Sequence, residues 1–74
     1  MTRELRNIKA QDAIRALERA GFKLLRQKGS HALLYREGSP LLIIPTHSKA
    51  LKLGLLKKEL KKAGISVEKF KELL

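Results

Sequence analysis

The sequence contains no cysteine, no tryptophan and only two prolines. Without cysteine the chain cannot build a disulfide framework or a thiolate metal site, which favours a reducing, cytoplasmic setting. No apolar run is long enough to span a bilayer, and residues 1–12 lack the apolar block of a signal peptide. We therefore expect an intracellular protein without a membrane anchor.

Aromatic residues are also scarce, because Phe22, Tyr35 and Phe70 are the whole set. This scarcity argues against the stacking platforms that bind single-stranded nucleic acid. The sequence has no glycine-rich nucleotide loop, and no histidine stands at a ligand-like spacing from an acidic residue. We expect neither a metal nor a small-molecule cofactor.

Acidic residues are few, and the charge is strongly positive. Seventeen Lys and Arg against seven Asp and Glu give a net charge of +10 over 74 residues. Such an excess favours a polyanionic partner, nucleic acid before an anionic membrane. A highly charged solubility surface, or the lysine usage of a thermophile, is the alternative. The length predicts a single domain over residues 1–74.

The hydrophobic periodicity predicts a helix, a three-stranded meander and two further helices. Helical spacing covers Ala10 to Ala20, and Gly21 is placed to end that helix. Turns at 28–30 and 37–40 separate three strands, and the predicted strands are Phe22 to Gln27, His31 to Arg36 and Leu41 to Ile44. In the first strand, Phe22, Leu24 and Arg26 are expected to share one face.

The second helix is predicted from about Lys52 to Ala63, and its apolar stripe consists of Leu53, Leu56, Leu60 and Ala63. Ser66 then caps a short last helix, and Ile65 and Phe70 are placed to form a hydrophobic staple. This order indicates an α+β fold with the helices on one face of a small antiparallel sheet. The other sheet face would be open for docking.

His31 is the candidate catalytic residue, because it follows the predicted turn Lys28-Gly29-Ser30 at the start of a strand. An imidazole can take or give a proton near neutral pH without a metal. RNA carries its own nucleophile, the 2′-hydroxyl, so one positioned acid or base with cations nearby would suffice, and Arg26 and Lys28 could supply them. The alternative is a solvated turn-edge histidine without a task.

The sequence leaves the roles of two other features undecided. His47 follows Pro45 in a predicted loop, where a plain polar loop residue is the favoured interpretation. The second helix carries a lysine face that includes Lys57 and Lys58, which is either a solvated surface or a track for phosphates.

These residues resemble a known family. "AGFKLLRQKGSH" (20–31), "IPTH" (44–47) and "LKLGLLKKELKKAGIS" (51–66) are similar to the HicA-type mRNA interferase toxins, over nearly the whole chain from Lys9. The resemblance implies a double-stranded-RNA-binding-like fold, ribosome-independent cleavage of mRNA, and a HicB-type antitoxin that masks the site. It assigns catalysis to His31 in "GSH", supported by Gly29 and Ser30, and it matches Arg26 and Gln27 to the "RQ" pair.

The chain departs from the family pattern at two places. Gly54-Leu55 stands where the family usually has Gly-Thr, so a phosphate-binding role at that position is in doubt, and Leu55 is expected to be exposed to a partner. Lys9-Ala10 stands where a small polar cap is usual.

The sequence therefore predicts a metal-independent endoribonuclease toxin. The residues expected to bind RNA are Arg26, Lys28, Lys49, Lys52, Lys57 and Lys58. A non-catalytic double-stranded-RNA-binding module is the main alternative. A DNA-binding regulator ranks last, because there is no convincing helix-turn-helix.

Overall fold

The computed structural model describes residue 5, residues 7–47 and residues 50–74. These residues form three helices and one three-stranded antiparallel sheet, in which the strands lie side by side in the order of the sequence. The elements along the chain are α1 (Ala10–Arg19), β1 (Lys23–Lys28), β2 (His31–Tyr35), β3 (Leu42–Pro45), α2 (Leu53–Ala63) and α3 (Val67–Leu73). The predicted α+β class and element order are confirmed. Within the described part of the chain, no helix is both long enough and apolar enough to cross a membrane.

The sheet has one buried face and one open face. Ala32, Leu34, Leu42 and Ile44 are fully buried on the face that α1 and α2 cover, and α3 packs against both helices. The alternate residues of β2 and β3 point away from the helices, and Ile43 among them is 40% exposed. The predicted placement of the helices on one face is therefore confirmed.

Helix α1 ends in a Schellman motif. The Phe22 N–H donates to the carbonyl of Leu17 at 3.0 Å, and the Gly21 N–H donates to that of Glu18 at 3.0 Å. Gly21 has the positive φ, 100°, that this motif requires. The predicted stop at Gly21 is confirmed, but Phe22 is not a strand residue as predicted, because its N–H serves the helix end.

The face prediction for β1 is also wrong. Leu24 pairs with Leu34 and Arg26 pairs with Leu33, so Leu24 and Arg26 lie on opposite faces. A β-bulge at Leu25 causes the change, because the extra residue shifts the alternation by one position. All six residues of β1 are exposed, and among them Leu24 and Leu25 are exposed at 45% and 59%.

The buried stripe of α2 is rotated from the predicted one. It consists of Leu56, Glu59, Leu60 and Ala63. Leu53 was predicted to be in the core but is 37% exposed. Leu55 was predicted to be exposed, but it is half-buried and packs against the core. The rotation brings a carboxylate into the stripe, which periodicity of apolar residues does not anticipate.

The Glu59 carboxylate accepts a hydrogen bond from the backbone at the outer edge of the sheet. The Ile43 N–H of β3 donates to Glu59 Oε1 at 2.9 Å, and Lys62 Nζ lies 3.2 Å from the same oxygen. Only 3% of Glu59 is exposed. A buried carboxylate needs partners for its charge, and the Ile43 N–H and Lys62 supply them at close range. Helix α2 thereby protects a backbone donor that an edge strand leaves unpaired.

Arg36, just after β2, joins the ends of two helices. Its Nη1 donates to the carbonyl of Ala20 at 3.0 Å, and its Nη2 donates to that of Ala63 at 2.9 Å. Its guanidinium also lies 4.5 Å from the centre of the buried Phe22 ring. A cation at helix C-termini is favoured by the negative end of the helix dipole. Arg36 therefore contributes to the stability of the fold, and its contacts are with the helix ends rather than with the open sheet face.

The C-terminal helix begins as predicted. Ser66 caps α3, since its side chain accepts a hydrogen bond from the Lys69 N–H at 3.1 Å. Phe70 is fully buried, and Ile65 packs against the core. Arg19 of α1 donates to the carbonyl of Leu73, so the two helices are joined at their C-terminal ends.

Candidate active site

His31 lies at the start of β2 on the open sheet face. Lys28 is its partner on β1 and Pro45 its partner on β3, so the histidine has a neighbour on each side. Gly29 and Ser30 form the connection, and Gly29 has a φ of 60°. Apart from Gly29 and its two chain neighbours, no atom of the described residues lies within 4 Å of a Cβ added at Gly29, so backbone conformation rather than space favours glycine here. The His31 side chain is exposed.

The turn before His31 is fastened to the end of β3. The Thr46 N–H donates to the Ser30 carbonyl at 2.6 Å, and Thr46 Oγ1 donates to the same oxygen at 2.9 Å. Gln27 Nε2 donates to Thr46 Oγ1 at 3.2 Å and to the Gly29 carbonyl at 3.4 Å. These bonds hold the turn and the chain after β3 in one arrangement. His31 is therefore presented from a fixed backbone rather than from a loose loop.

The same bonds place His47 beside His31. The centroids of the two imidazole rings are 6.4 Å apart, with an angle of 63° between the ring planes. Both side chains are exposed. The sequence favoured an ordinary loop residue at 47, and the "IPTH" segment gave no direct sign of contact with the "GSH" turn. The pairing of β2 with β3, followed by the Thr46 bonds, brings the chain's two histidines together.

An open groove lies on this side of the sheet. It has a volume of about 590 Å³, and its lining consists of Lys28, Gly29, His31, Leu33, Leu41 and Ile43. The imidazole of His31 and the ammonium group of Lys28 lie near the hairpin turn at Gly29, while the other three lining residues are aliphatic. Leu41 is 38% exposed and Ile43 is 40% exposed. A polar end of the groove thus adjoins an apolar surface on which sugars, bases or a protein partner could pack.

The predicted RNA-binding cations fall into two groups. Arg26 and Lys28 are exposed on β1, and their strand partners are Leu33 and His31 on the open face. Lys52 precedes α2, and Lys57 and Lys58 are exposed on that helix, in the helical layer of the fold. Lys49 lies outside the described residues. The structure thus brings two of the predicted cations to the His31 side of the sheet and places three in the layer of α2.

Within residues 7–47 and 50–74, together with Leu5, no three histidine or acidic side chains are grouped as they would be around a metal ion.

Comparison with known proteins identifies the family. The sequence pattern of the HicA toxins of bacterial toxin–antitoxin systems matches residues 10–65. The matched segment is about three quarters of the chain, and it includes α1, the entire sheet, both histidines and α2. A search of curated individual proteins gave no match. Because the family pattern covers well over half of the sequence and all elements around the groove, this chain belongs to the HicA toxin family, whose members are the toxins of toxin–antitoxin pairs.

Proposed function

We propose that this toxin is an endoribonuclease that cuts mRNA in the cytoplasm, with His31 as general acid or base and without a metal. One observation carries the proposal. His31 is exposed on the open sheet face, at the end of a groove that Lys28 also lines, in a chain of net charge +10. An imidazole beside cations on an accessible surface suits a phosphodiester substrate.

RNA suits this site because the substrate supplies the nucleophile. The 2′-oxygen attacks the adjacent phosphorus, the bond from phosphorus to the 5′-oxygen breaks, and the products carry a 2′,3′-cyclic phosphate and a 5′-hydroxyl. The protein then needs only to move protons and to stabilise the negative charge that develops on the phosphoryl oxygens. DNA lacks the 2′-hydroxyl and would not react by this route.

The groups around His31 have separate tasks in this proposal. Gly29 allows the backbone of the turn to approach a phosphate, and the Ser30 hydroxyl offers a donor to it. Arg26 and Lys28 contact the phosphates nearest the reacting bond. In the layer of α2, Lys52, Lys57 and Lys58 would hold more distant phosphates of the same strand, and Lys49, which lies outside the described residues, is proposed to share this role.

The test is RNA cleavage by the purified protein in the presence of a metal chelator. We compare the parent with His31→Ala and His31→Gln, and use Gln11→Ala on the exposed side of α1 as a control for handling. We expect the two His31 variants to lose about 100-fold or more in rate, because a positioned acid or base contributes roughly 10²–10⁴-fold. His31 variants that cut as fast as the control would refute the assignment.

The same experiment separates the main alternative. A non-catalytic double-stranded-RNA-binding module would use the same order of elements and the same positive charge. It would bind RNA tightly and with strong salt dependence, yet no preparation would cut it. His31→Ala would then bind as well as the parent, because pure binding does not require an imidazole.

A toxin of this family pairs with an antitoxin. We propose a HicB-type antitoxin that inhibits by covering the groove, with acidic groups facing Arg26 and Lys28 and apolar groups facing Leu41 and Ile43. Hydrogen exchange of the toxin with and without its antitoxin measures this. We expect slower exchange in β2 and β3, and an inhibited complex whose groove exchanges as in the free toxin would contradict occlusion.

A further inference from the structure

The backbone segments that precede the two histidines are joined by hydrogen bonds among Gln27, Ser30 and Thr46, which we call the clamp. Ser30 immediately precedes His31, Thr46 immediately precedes His47, and two hydrogen bonds from Thr46 end on the Ser30 carbonyl, at 2.6 Å and 2.9 Å. Gln27 adds a third bond, to Thr46 Oγ1. The segments that carry the two rings are thereby fixed to each other, and both rings remain exposed.

We infer that His47 is the second proton-transfer group of the site, and that His31 and His47 act as an acid–base pair on one phosphodiester. This inference rests on the proposed ribonuclease function. It assigns a catalytic task to a residue for which sequence alone favoured an ordinary loop role.

The distance between the rings suits one phosphate. A catalytic nitrogen must lie within about 2.6–3.2 Å of the oxygen whose proton it moves. Rings whose centroids are 6.4 Å apart can each reach a different oxygen of the same phosphorus. At an interplanar angle of 63° the rings do not stack face to face, so their edges remain available to a substrate on the open side.

The pair accounts for both protons of the reaction. One imidazole, in its neutral form, removes the proton from the 2′-hydroxyl while the 2′-oxygen bonds to phosphorus. The other, in its protonated form, gives its proton to the 5′-oxygen as the bond from that oxygen to phosphorus breaks. One ring gains a proton and the other loses one, and no further reagent is consumed.

Lys28 is the other candidate, since it lines the groove together with His31. An ammonium group ordinarily holds its proton far more tightly than an imidazolium does. It is therefore a poorer proton donor at neutral pH and is better suited to hold the phosphoryl oxygens. His47 meets the chemical requirement that Lys28 does not.

The experiment measures single-turnover cleavage of two RNA substrates by His31→Ala, His47→Ala and His47→Gln. One substrate is ordinary, and the other carries sulfur in place of the leaving 5′-oxygen. A thiolate leaves without protonation, so the sulfur substrate does not need the acid. Gln11→Ala is the control for handling, and circular dichroism confirms that each variant is folded.

We expect the His47 variants to lose about 100-fold or more on ordinary RNA and one of the two histidine sites to regain the parent's rate on the sulfur substrate. The rescued site carries the acid, and the other carries the base. His47 variants that match Gln11→Ala would overturn the pair, as would loss at both sites with no rescue at either. Loss at His31 alone leaves the ribonuclease proposal with its His31 assignment standing, whereas loss at neither position removes the assignment of His31 as well as the pair.

Discussion

Replacing Arg36 with alanine removes the group that joins two helix ends to the sheet. The side chain donates to the carbonyls of Ala20 and Ala63 and lies over the Phe22 ring. Hydrogen bonds from a charged donor contribute about 1.5–3 kcal/mol each, and the cation–π contact adds about 0.5–1 kcal/mol. Arg36 is half-buried, so water can rehydrate the freed carbonyls in the variant. We expect a loss of about 2–3 kcal/mol in the free energy of unfolding.

That loss is large for this chain. A protein of 74 residues has an unfolding free energy of about 4–11 kcal/mol, and the expected fall in Tm is roughly 10–20 °C. Arg36→Lys should lose about half as much, because a single ammonium keeps the charge but lacks the planar fork that reaches both carbonyls. Urea and thermal unfolding, followed by circular dichroism in a His31→Ala background, measure these values without toxicity during expression.

The matched control is Arg26→Ala, which removes the same charge from an exposed position on β1. We expect its unfolding free energy to stay within about 0.5 kcal/mol of the parent. Equal midpoints for Arg36→Ala and Arg26→Ala would show that the contacts of Arg36 do not stabilise the fold as argued.

Three further predictions concern the edge of the sheet, the clamp and the cations. Glu59→Ala should lower the unfolding free energy by about 2–3 kcal/mol, because the Ile43 N–H loses its charged acceptor, and equal urea midpoints for parent and variant would contradict this. Thr46→Val should cost about 1 kcal/mol but slow RNA cleavage roughly tenfold or more by displacing the histidines, whereas unchanged cleavage would show that the clamp does not matter. Arg26→Ala should reduce the magnitude of the slope of log RNA affinity against log salt concentration by about 1, while Arg15→Ala on α1 should leave it unchanged. Equal slopes for the two variants would show that Arg26 does not contact RNA.

Much of the fold followed from local signals in the sequence. Helix ends were readable because Gly21 and Ser66 have conformational and capping preferences that act over a few residues. The meander was readable because two short turns leave no room for a crossover connection. The bulge at Leu25 was not readable, since neither neighbouring residue type requires it and its position depends on how β1 pairs with β2.

Of the two histidines in the site, only His31 could be placed from local signals in the sequence. His31 stands out because it directly follows a turn, so its place at a strand end is a local property. The proximity of His47 depends on the register between β2 and β3 and on hydrogen bonds from Thr46 to Ser30. The burial of Glu59 could not be predicted, because a carboxylate in a helix is normally expected to face solvent. Its partner is a backbone N–H of another element, Ile43 of β3, which the helix sequence does not indicate.

The central claim is that His31 serves a reaction in which RNA attacks itself. The most direct measurement uses one RNA oligonucleotide that the protein cuts and a copy with a single 2′-deoxy nucleotide at the cleaved position, both with chelator present. We expect the deoxy copy to be bound but to stay intact, while the unmodified strand yields ends with a 2′,3′-cyclic phosphate and a 5′-hydroxyl. Cleavage of the deoxy copy at the same bond and a similar rate would contradict it.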